Sequence, residues 1–392
     1  MTTDRKQSEL DRRDAPATRE PRAQRVVDRA AGEWRRGRPV VLADGRGNGH
    51  VAISAEQADA ERLAELAGLT AAVLEIALTA RRAAALGIPA PSANVMVLTL
   101  HPGATPEIIH ELADPAATAC SADARPVQDR QQDWRPAGRF DNAAAAVALA
   151  KIARLLPAAV IAPVTGQPDL ALWSRRQDML FVDAGDVFRH AADAARTLRP
   201  VGEARIPLAA APDVPARVHA FRPADGALEH LAIVIGDPAA DAPMLTRVHS
   251  ECFTGDLLGS LRCDCGDQLQ GALAEIARAG SGILLYLAQE GRGIGLVNKL
   301  RAYQLQDMGF DTIDANEQLG FDADERVYLP AAQMLRMLGY GKVRLLTNNP
   351  EKVRALAHCG IEVTERVPHA FPSNKHNESY LRTKAQRAGH LF

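Results

Sequence analysis

The 392-residue sequence has little of what marks secreted, membrane-embedded or nucleic-acid-binding proteins. It contains five cysteines, an odd number that does not suit the paired disulfide framework of a secreted protein. Aromatic residues make up 4% of the chain, which leaves little material for the stacking surfaces of single-strand-binding proteins. No apolar run approaches the roughly 18 residues that a membrane span requires. We therefore expect neither a nucleic acid nor a membrane as a partner.

The sequence also lacks an excess of charge of either sign, because 46 Lys and Arg residues are balanced by 48 Asp and Glu residues. The formal net charge of −2 creates no global positive field, so any anion-binding site must be local. The first 25 residues are polar and charged in both signs, without the apolar core of a secretory signal. The expected location is the cytoplasm, where cysteines stay reduced.

Length and the change in sequence pattern along the chain predict a tail and two domains, since about 150 residues per domain is the usual size. Residues 1–24 mix charges with prolines and lack apolar periodicity, which predicts a disordered tail. Residues 25–200 alternate helical runs with short apolar strands such as Val40–Ala43, which predicts an α/β domain. Residues 201–392 begin with strands such as Ala216–Arg222 and continue with alternating helices and strands. The predicted fold class is α/β, or more broadly α+β, and residues from about 201 onward are expected to fold by themselves.

Three of the cysteines crowd into one short segment. Cys252, Cys263 and Cys265 form a Cys-x10-Cys-x-Cys pattern, which in a reducing compartment indicates a metal site. Zinc accepts thiolates, and three protein ligands leave a coordination position for water, whereas a closed structural site needs four. The spacing leaves open that His249, three residues before Cys252, is a fourth ligand and that the zinc is structural.

Two further segments join a predicted strand to a predicted helix. Gln289–Leu296 brings three glycines and Arg292 to such a junction, where backbone N–H groups and a guanidinium can bind phosphate. Leu345–Lys352 brings Thr347 and Lys352 to the N-terminus of another predicted helix, which also suits an anion. By itself each pattern is equally typical of a tight turn or a capped helix.

Asp324 and Arg326, two residues apart, taken alone suit a surface ion pair. Together, however, these segments resemble GTP cyclohydrolase II, the family that opens GTP at the start of riboflavin biosynthesis. The resemblance covers about residues 204–390, roughly half the chain. The motifs that carry it are Arg-Val-His-Ser-Glu-Cys252, Arg-Cys-Asp-Cys-Gly266, Gln-Glu-Gly-Arg292, Asn-Lys-Leu-Arg-Ala-Tyr303, Gln-Leu-Gly-Phe-x-Ala-Asp-Glu-Arg326 and Thr-Asn-Asn-Pro350.

The resemblance implies a role for each matched residue. The family's zinc ligands fall on Cys252, Cys263 and Cys265, which favours a three-ligand site over His249 as a fourth ligand. The proton acceptor falls on Asp324, the proposed nucleophile on Arg326, and a further active-site tyrosine on Tyr303. The residues expected to contact GTP are Arg247, Val248, His249, Ser250, Glu251, Gln268, Glu290, Gly291, Arg292, Thr312, Thr347 and Lys352.

The resemblance also implies the reaction. Water activated by zinc attacks C8 of guanine, the imidazole ring opens, C8 leaves as formate, and the triphosphate releases diphosphate. The implied product is 2,5-diamino-6-(5-phosphoribosylamino)pyrimidin-4(3H)-one. Mg²⁺ is expected to accompany the triphosphate because it neutralises the charge of the oxygens that it bridges. Since a guanidinium stays protonated, Arg326 could instead stabilise charge on the α-phosphate. We further expect one zinc ion per chain and a homodimer.

The first half faintly resembles 3,4-dihydroxy-2-butanone 4-phosphate synthase, to which the cyclohydrolase is fused in many bacteria. That enzyme carries an acidic magnesium-binding loop after its first strand, whereas this sequence has Gly47, Asn48, Gly49 and His50 there. Without carboxylates a hard cation loses its ligands. We therefore predict that residues 25–200 form an accessory domain without catalytic activity.

Two other functions compete with this interpretation. His249-x-Glu251 matches the His-x-Glu of zinc deaminases, but the Pro-Cys-x2-Cys that should follow is missing. A structural zinc module that binds nucleic acid is disfavoured by the net charge of −2 and the scarcity of aromatic residues.

Overall fold

The computed structural model describes residues 19–90, 92–118, 134–224, 226–371 and 387, which form two seven-stranded sheets with helices packed against them. The strands of the first half are β1 (Val40–Ala43), β2 (Gly49–Ser54), β3 (Glu75–Thr79), β4 (Val95–Thr99), β5 (Trp134–Pro136), β6 (Ala158–Val164) and β7 (Leu180–Asp183). Its helices are α1 (Arg19–Arg35), α2 (Ala60–Thr70), α3 (Ala80–Ala85), α4 (Pro106–Ala113), α5 (Pro115–Thr118), α6 (Asn142–Ile152), α7 (Leu170–Arg176) and α8 (Ala184–Arg196).

The first sheet has the strand order β5-β4-β3-β6-β2-β1-β7, and among its described strands only the β1–β7 pair is parallel. Both faces of this sheet are covered by apolar cores. Val41 of β1 belongs to the core that includes α2 and α4, whereas Val40 and Leu42 belong to the core that includes α1 and α6. Because alternate side chains of a strand point to opposite faces, burial on both sides explains the unbroken apolar run of β1.

The second half contains β8 (Arg199–Arg205), β9 (Ala216–Arg222), β10 (His230–Ile235), β11 (Met244–Ser250), β12 (Gly282–Leu287), β13 (Lys342–Leu346) and β14 (Glu362–Val367). Its helices are α9 (Cys265–Arg278), α10 (Leu296–Asp307), α11 (Thr312–Gln318), α12 (Leu329–Met337) and α13 (Pro350–His358). Two short turns of helix complete it, a π turn at Phe253–Leu257 and a 3-10 turn at Glu290–Gly293.

The second sheet has the order β14-β13-β11-β12-β10-β9-β8. Strands β8, β9 and β10 are antiparallel neighbours, and β10 pairs antiparallel with β12. Strand β11 is parallel to both β12 and β13, and β13 is parallel to β14. The carboxyl ends of β11, β12 and β13 therefore meet at one edge, which is where open sheets of this kind bind ligands.

This architecture confirms the predicted class, an α/β chain whose second half starts with strands and continues with alternating helices and strands. Helix α1 begins at Arg19, inside the predicted tail of residues 1–24, and runs from charged sequence into the buried residues Val27 and Trp34. The rest of the predicted tail, residues 1–18, lies outside the described part of the chain. Among the described residues no helix is both long and apolar enough to cross a membrane.

The two halves are joined by a shared apolar core. Ala302 and Leu305 of α10 and Phe321 pack in the same cluster as β1, β2 and α4 of the first half. Polar contacts also cross the boundary: buried Arg82 donates to the Gln318 carbonyl at 3.2 Å, and the Lys151 Nζ lies 2.5 Å from Glu325 Oε1. This arrangement bears against the expectation that residues from 201 onward fold alone.

Candidate active site

One open cavity, with an empty volume of about 1100 Å³, lies where β11, β12 and β13 end. A concave site at the carboxyl ends of parallel strands is a usual place for a small-molecule ligand. Most of the residues that the sequence singled out line it, namely Arg247, His249, Ser250, Glu251, Cys252, Cys263, Cys265, Gln268, Glu290, Gly291, Arg292, Tyr303, Thr312, Arg326, Thr347 and Lys352.

The three cysteines converge in this cavity. Cys252 follows β11, Cys263 lies in the loop before α9, and Cys265 begins α9. Their sulfur atoms all lie within 4.8 Å of one another, and those of Cys252 and Cys263 are 3.8 Å apart. Tetrahedral zinc with Zn–S bonds of about 2.3 Å requires sulfur atoms about 3.8 Å apart, so the trio fits that metal. No histidine or carboxylate from the described residues joins this group.

Hydrogen bonds within the cluster shift the pKa values of the thiols in different directions. The Cys263 and Cys265 thiols, together with Lys299, lower the pKa of Cys252. The hydrogen bond to Cys252 raises the pKa of Cys265, whose burial acts in the same direction. Cys252 is therefore the first of the three to become a thiolate, the form that binds metal.

Gly255 lies against the cluster and allows the thiols to approach one another. A Cβ at this position would lie 2.9 Å from Cys263 Sγ, 2.9 Å from Cys265 Cβ and 3.0 Å from Cys252 Sγ. The Gly255 N–H also donates to Cys252 Sγ at 3.3 Å. Residue 255 can therefore carry no side chain unless the sulfur atoms move.

A buried carboxylate, Asp256, fixes the chain at Cys252. Asp256 Oδ2 accepts hydrogen bonds at 2.9 Å from the Cys252 N–H and from the Tyr286 hydroxyl. His249 Nε2 lies 3.1 Å from both Asp256 oxygens, and the His249 ring stacks on Tyr286. Burial lowers the pKa of His249, so a neutral ring donates its Nε2–H to Asp256. His249 is thus engaged by Asp256 and stands apart from the cysteine group.

Helix α10 contributes Lys299 and Tyr303 to the cavity wall. Lys299 Nζ donates to Cys252 Sγ at 3.0 Å, to Thr254 Oγ1 at 2.9 Å and to Glu290 Oε1 at 2.9 Å. Burial alone would lower the pKa of Lys299, but the hydrogen bond to Cys252 raises it overall. The Tyr303 hydroxyl lies 3.4 Å from Thr254 Oγ1. A protonated lysine thus lies directly beside the thiol cluster.

The turn after β12 is held by Glu290, which is 4% exposed. Its carboxylate accepts from the Phe253 N–H at 2.6 Å, the Gly291 N–H at 2.8 Å and Lys299. Gly291 (φ 63°, ψ 34°) and Arg292 (φ 61°, ψ 30°) both adopt the left-handed conformation. For Arg292, which has a Cβ, this conformation costs about 1–2 kcal/mol. The buried Glu290 carboxylate therefore holds the turn in place by accepting three hydrogen bonds, and the turn places Arg292 at the cavity wall.

Arg326 lines the cavity while paired with Asp324. Its Nε donates to Asp324 Oδ1 at 2.8 Å, and a second guanidinium nitrogen donates to Oδ2. Burial would raise the pKa of Asp324, but the hydrogen bond from Arg326 outweighs it and lowers the pKa. At neutral pH the pair is therefore a carboxylate and a guanidinium.

Arg247 and Lys352 are buried cations that tie β11 to its neighbours. Arg247 donates to the Leu346 carbonyl at 2.9 Å and to the Gln268 side chain, and burial lowers its pKa to about 10. Lys352, near the start of α13, donates to the Val248 carbonyl at 3.0 Å. Arg247 remains protonated at neutral pH and contributes positive charge to the cavity.

The cavity is locally positive in a chain whose net charge is −2. Of the residues that the structure describes, two with carboxylates line it, Glu251 and Glu290. The cationic side chains that line it are Arg247, Arg262, Arg292, Lys299, Arg326 and Lys352. This excess of positive charge suits a polyanionic ligand.

A family model described as GTP cyclohydrolase II matches residues 199–368. A protein named GTP cyclohydrolase-2 from Azospirillum brasilense is 54% identical over 374 residues, which cover 94% of this chain and 94% of that protein. The chain belongs to the GTP cyclohydrolase II family. It is accordingly an enzyme, and the resemblance seen in the motifs is confirmed. A GTP cyclohydrolase-2 from Shewanella baltica (strain OS185) is 56% identical over 175 residues, which cover 45% of this chain and 86% of that protein.

Solved structures that align with this member of the GTP cyclohydrolase II family include a two-domain 3,4-dihydroxy-2-butanone 4-phosphate synthase from A. baumannii. It is 18% identical with a TM-score of 0.35, and the alignment covers 88% of this chain and 99% of that one. A cation-free 3,4-dihydroxy-2-butanone 4-phosphate synthase is 19% identical with a TM-score of 0.32, covering 42% of this chain and 96% of that one. The inactivity of residues 25–200 stays a prediction.

Two residues that the GTP cyclohydrolase II motifs singled out lie outside the cavity lining. Val248 is 1% exposed and packs in the apolar core, while its carbonyl receives Lys352. Asp324 reaches the cavity only through Arg326, with which it is paired. Alternation along β11 explains Val248, because neighbours of a cavity-facing residue on a strand point the other way.

Sequence reasoning missed several side chains that line the cavity: Arg262, Lys299, Gln306, Asn316, Asn348, Asn349 and His369. A signal was present for four of them, which lie inside the GTP cyclohydrolase II motifs quoted above: Arg262, Lys299, Asn348 and Asn349. His369 had none. It reaches the site because its backbone pairs with the Asn348 side chain, at 2.7 and 2.8 Å, beyond the end of β14.

Proposed function

We propose that this enzyme is a zinc-dependent GTP cyclohydrolase II, which converts GTP and water to 2,5-diamino-6-(5-phosphoribosylamino)pyrimidin-4(3H)-one, formate and diphosphate. This is the first step of riboflavin biosynthesis. The observation that supports it best is the meeting, in one cavity, of a three-thiol cluster and an excess of cationic side chains. The first feature suits metal-assisted attack on a ring carbon, and the second suits a triphosphate.

Cys252, Cys263 and Cys265 are the residues that would hold zinc, one ion per chain. When bound, zinc supplies a Lewis acid with an open position that lowers the pKa of water toward about 7. The protonated Lys299, 3.0 Å from Cys252 Sγ, would offset the negative charge of the thiolates. His249 and Asp256 would keep Cys252 in place through the Asp256 bond to its N–H.

The remaining predicted residues would bind and orient GTP. We assign the triphosphate to the cationic group of Arg247, Arg292, Arg326 and Lys352, with Thr347 at the N-terminus of α13. Val248 would act through the carbonyl that holds Lys352, and Glu290 through the turn that it anchors. The other proposed contacts are His249, Ser250, Glu251, Gln268, Gly291 and Thr312, and Tyr303 is the proposed orienting tyrosine.

Arg326 would stabilise charge on the α-phosphate and Asp324 would accept a proton. An arginine that donates two hydrogen bonds to Asp324 keeps its proton, which suits charge stabilisation better than nucleophilic attack. The lowered pKa of Asp324 keeps it ionised and able to receive a proton once Arg326 turns toward the phosphate.

Mg²⁺ would enter with the triphosphate. Burial and the neighbouring Glu290 raise the pKa of Glu251, and a divalent cation beside Glu251 would favour its ionised form. A carboxylate oxygen is a ligand that Mg²⁺ prefers. The homodimer, the cytoplasmic location and the assignment of residues 201–392 as the catalytic domain stay predictions beside this proposal.

The proposal is tested by incubating the purified chain with GTP, zinc and magnesium and measuring formate and diphosphate. We expect both products in equal amounts from the zinc-loaded enzyme, and diphosphate without formate after zinc is removed and magnesium alone is supplied. ATP serves as the matched control, because it has the same triphosphate and a different base. Diphosphate without formate from the zinc-loaded enzyme would contradict the proposed ring opening.

A further inference from the structure

Helix α10 presents different faces to the two halves of the molecule. Lys299, Tyr303 and Gln306 line the cavity. Asn298 and Arg301 instead point into the first half, where the Asn298 side chain donates to the Arg154 carbonyl at 3.2 Å. Residues three and four apart share one side of a helix, so this division is a property of the whole helix. The helix that carries Lys299 and Tyr303 is therefore bounded on its other side by the first half.

Arg301 is the centre of the contact. Its Nε lies 3.3 Å from Asp114 Oδ2, and its Nη1 lies 3.2 Å from Glu56 Oε2. All three side chains are 18% exposed. Arg301 Nη1 also donates to Asn298 Oδ1 at 2.8 Å, which orients the guanidinium along the helix. An arginine held by two carboxylates in a largely buried position has little freedom to move.

The two carboxylates are themselves fixed in the first half. Glu56 Oε2 accepts from the Leu156 N–H at 2.9 Å, just before β6. Asp114 ends α4, and its Oδ1 accepts from the Ala116 N–H at 2.9 Å. The position of Arg301 is therefore set by two separate points of the first half.

We propose that the first half acts as a positioning element for the active site, with Glu56 and Asp114 holding Arg301 and thereby helix α10. Arg301 is a positioning residue, since it acts through Lys299 and Tyr303 on the same helix. This inference rests on the proposed function for its effect on turnover. It gives residues 25–200 a role that needs no catalytic chemistry of their own.

The variant Glu56→Gln/Asp114→Asn tests this with changes confined to the first half and outside the cavity. Both amides keep an oxygen that can accept the local backbone N–H. We expect kcat for GTP to fall about 10- to 100-fold, because displacing a catalytic group by about 1 Å has that effect. We expect the zinc content to stay at the wild-type level and KM to change less than kcat.

Glu33→Gln is the matched control, because it removes a first-half carboxylate whose partners, Arg36 and Arg38, lie in the first half as well. It should leave kcat unchanged. Arg301→Met should lower kcat as far as the double variant does, and combining it with Glu56→Gln should add little, since the residues act through each other. Additive losses would overturn the proposal.

Backbone hydrogen exchange across residues 296–307 gives a readout that does not depend on GTP turnover. We expect faster exchange there in Glu56→Gln/Asp114→Asn than in wild type, and no change in Glu33→Gln. If the wild-type chain did not act on GTP, the proposed function would fail while the exchange result still decided whether the first half holds α10. Unchanged exchange, or wild-type kcat in the double variant of an active enzyme, would overturn the positioning role.

Discussion

Adding a single methyl group at Gly255 should weaken zinc binding without removing a ligand. The new Cβ would lie 2.9 Å from Cys263 Sγ, 2.9 Å from Cys265 Cβ and 3.0 Å from Cys252 Sγ. Non-bonded carbon atoms prefer separations of about 3.5–4.0 Å, and sulfur is larger. The methyl group of Gly255→Ala would therefore be too close to three neighbours at once.

The magnitude follows from where the crowding can be relieved. Without metal the thiols can rotate away, whereas with zinc bound all three sulfur atoms must stay near it. Overpacking of this kind costs about 1–3 kcal/mol. If the cost falls on the zinc-bound form, the dissociation constant should rise about 5- to 150-fold, because 1.4 kcal/mol corresponds to a factor of ten.

Competition with a chromophoric zinc chelator measures this change directly. Gly341→Ala is the control, because a Cβ there meets no atom within 4 Å and the position is exposed. It should bind zinc like the wild type. Wild-type zinc affinity in a folded Gly255→Ala protein would refute the reasoning, because it would mean that the three thiols do not surround residue 255 when metal is bound.

Three further predictions concern the order of the chemistry, the pH dependence of stability and the first half. We predict that diphosphate release precedes ring opening, so Cys265→Ser should suppress formate but let GTP lose diphosphate. Arg326→Ala should suppress both products by about 10²–10³-fold, the usual effect of losing a charge stabiliser. Formate from Arg326→Ala at the wild-type rate without diphosphate would refute this order. Burial lowers the pKa of His369 to about 4 from 6.5. As the pH falls from 7 to 5, His369 therefore stays neutral in the folded protein but takes up a proton in the unfolded chain. Stability should therefore fall by about 2 kcal/mol between pH 7 and pH 5, and urea unfolding should show this loss reduced in His369→Gln, which keeps a donor for the Gln268 carbonyl. The gene should restore growth to a riboflavin auxotroph that lacks GTP cyclohydrolase II but not to one that lacks the butanone phosphate synthase. Growth of the second strain would show that the synthase activity does not need carboxylates at residues 47–50.

The sequence was most informative where local chemistry determines local structure. The apolar run Val40–Ala43 and the alternating strand Ala216–Arg222 have the predicted bounds, because burial leaves a clear pattern in such segments. Strand β11 had not been predicted as a strand. Its Arg247, His249 and Ser250 are polar residues that usually indicate an exposed loop. Here they belong to an interior strand of the sheet and line the cavity at its carboxyl end.

Sequence motifs do not show which residues far apart in the chain come into contact in the fold. The spacing of the three cysteines predicted a metal site. No local feature of the sequence, however, indicated that Lys299 would contact Cys252, which lies 47 positions away in the chain. The expected independence of the second half came from a change in composition near residue 200. It overlooked Leu305 and Phe321, whose apolar side chains are buried against the first half. A sequence shows that such residues will be buried, while the partner that buries them depends on the fold.

The left-handed backbone conformation of Arg292 lowers the stability of the protein, while the side chain at this position provides a guanidinium to the cavity. Glycine would adopt these angles without the steric cost that a Cβ brings, and glycines already occupy positions 291 and 293. A chain selected for stability alone would carry a third glycine here and lose the guanidinium from the cavity. Arg292→Gly should therefore raise the melting temperature while it lowers the affinity for GTP. Screens that rank variants by thermal resistance would favour this substitution, and only a screen that also measures turnover would reject it.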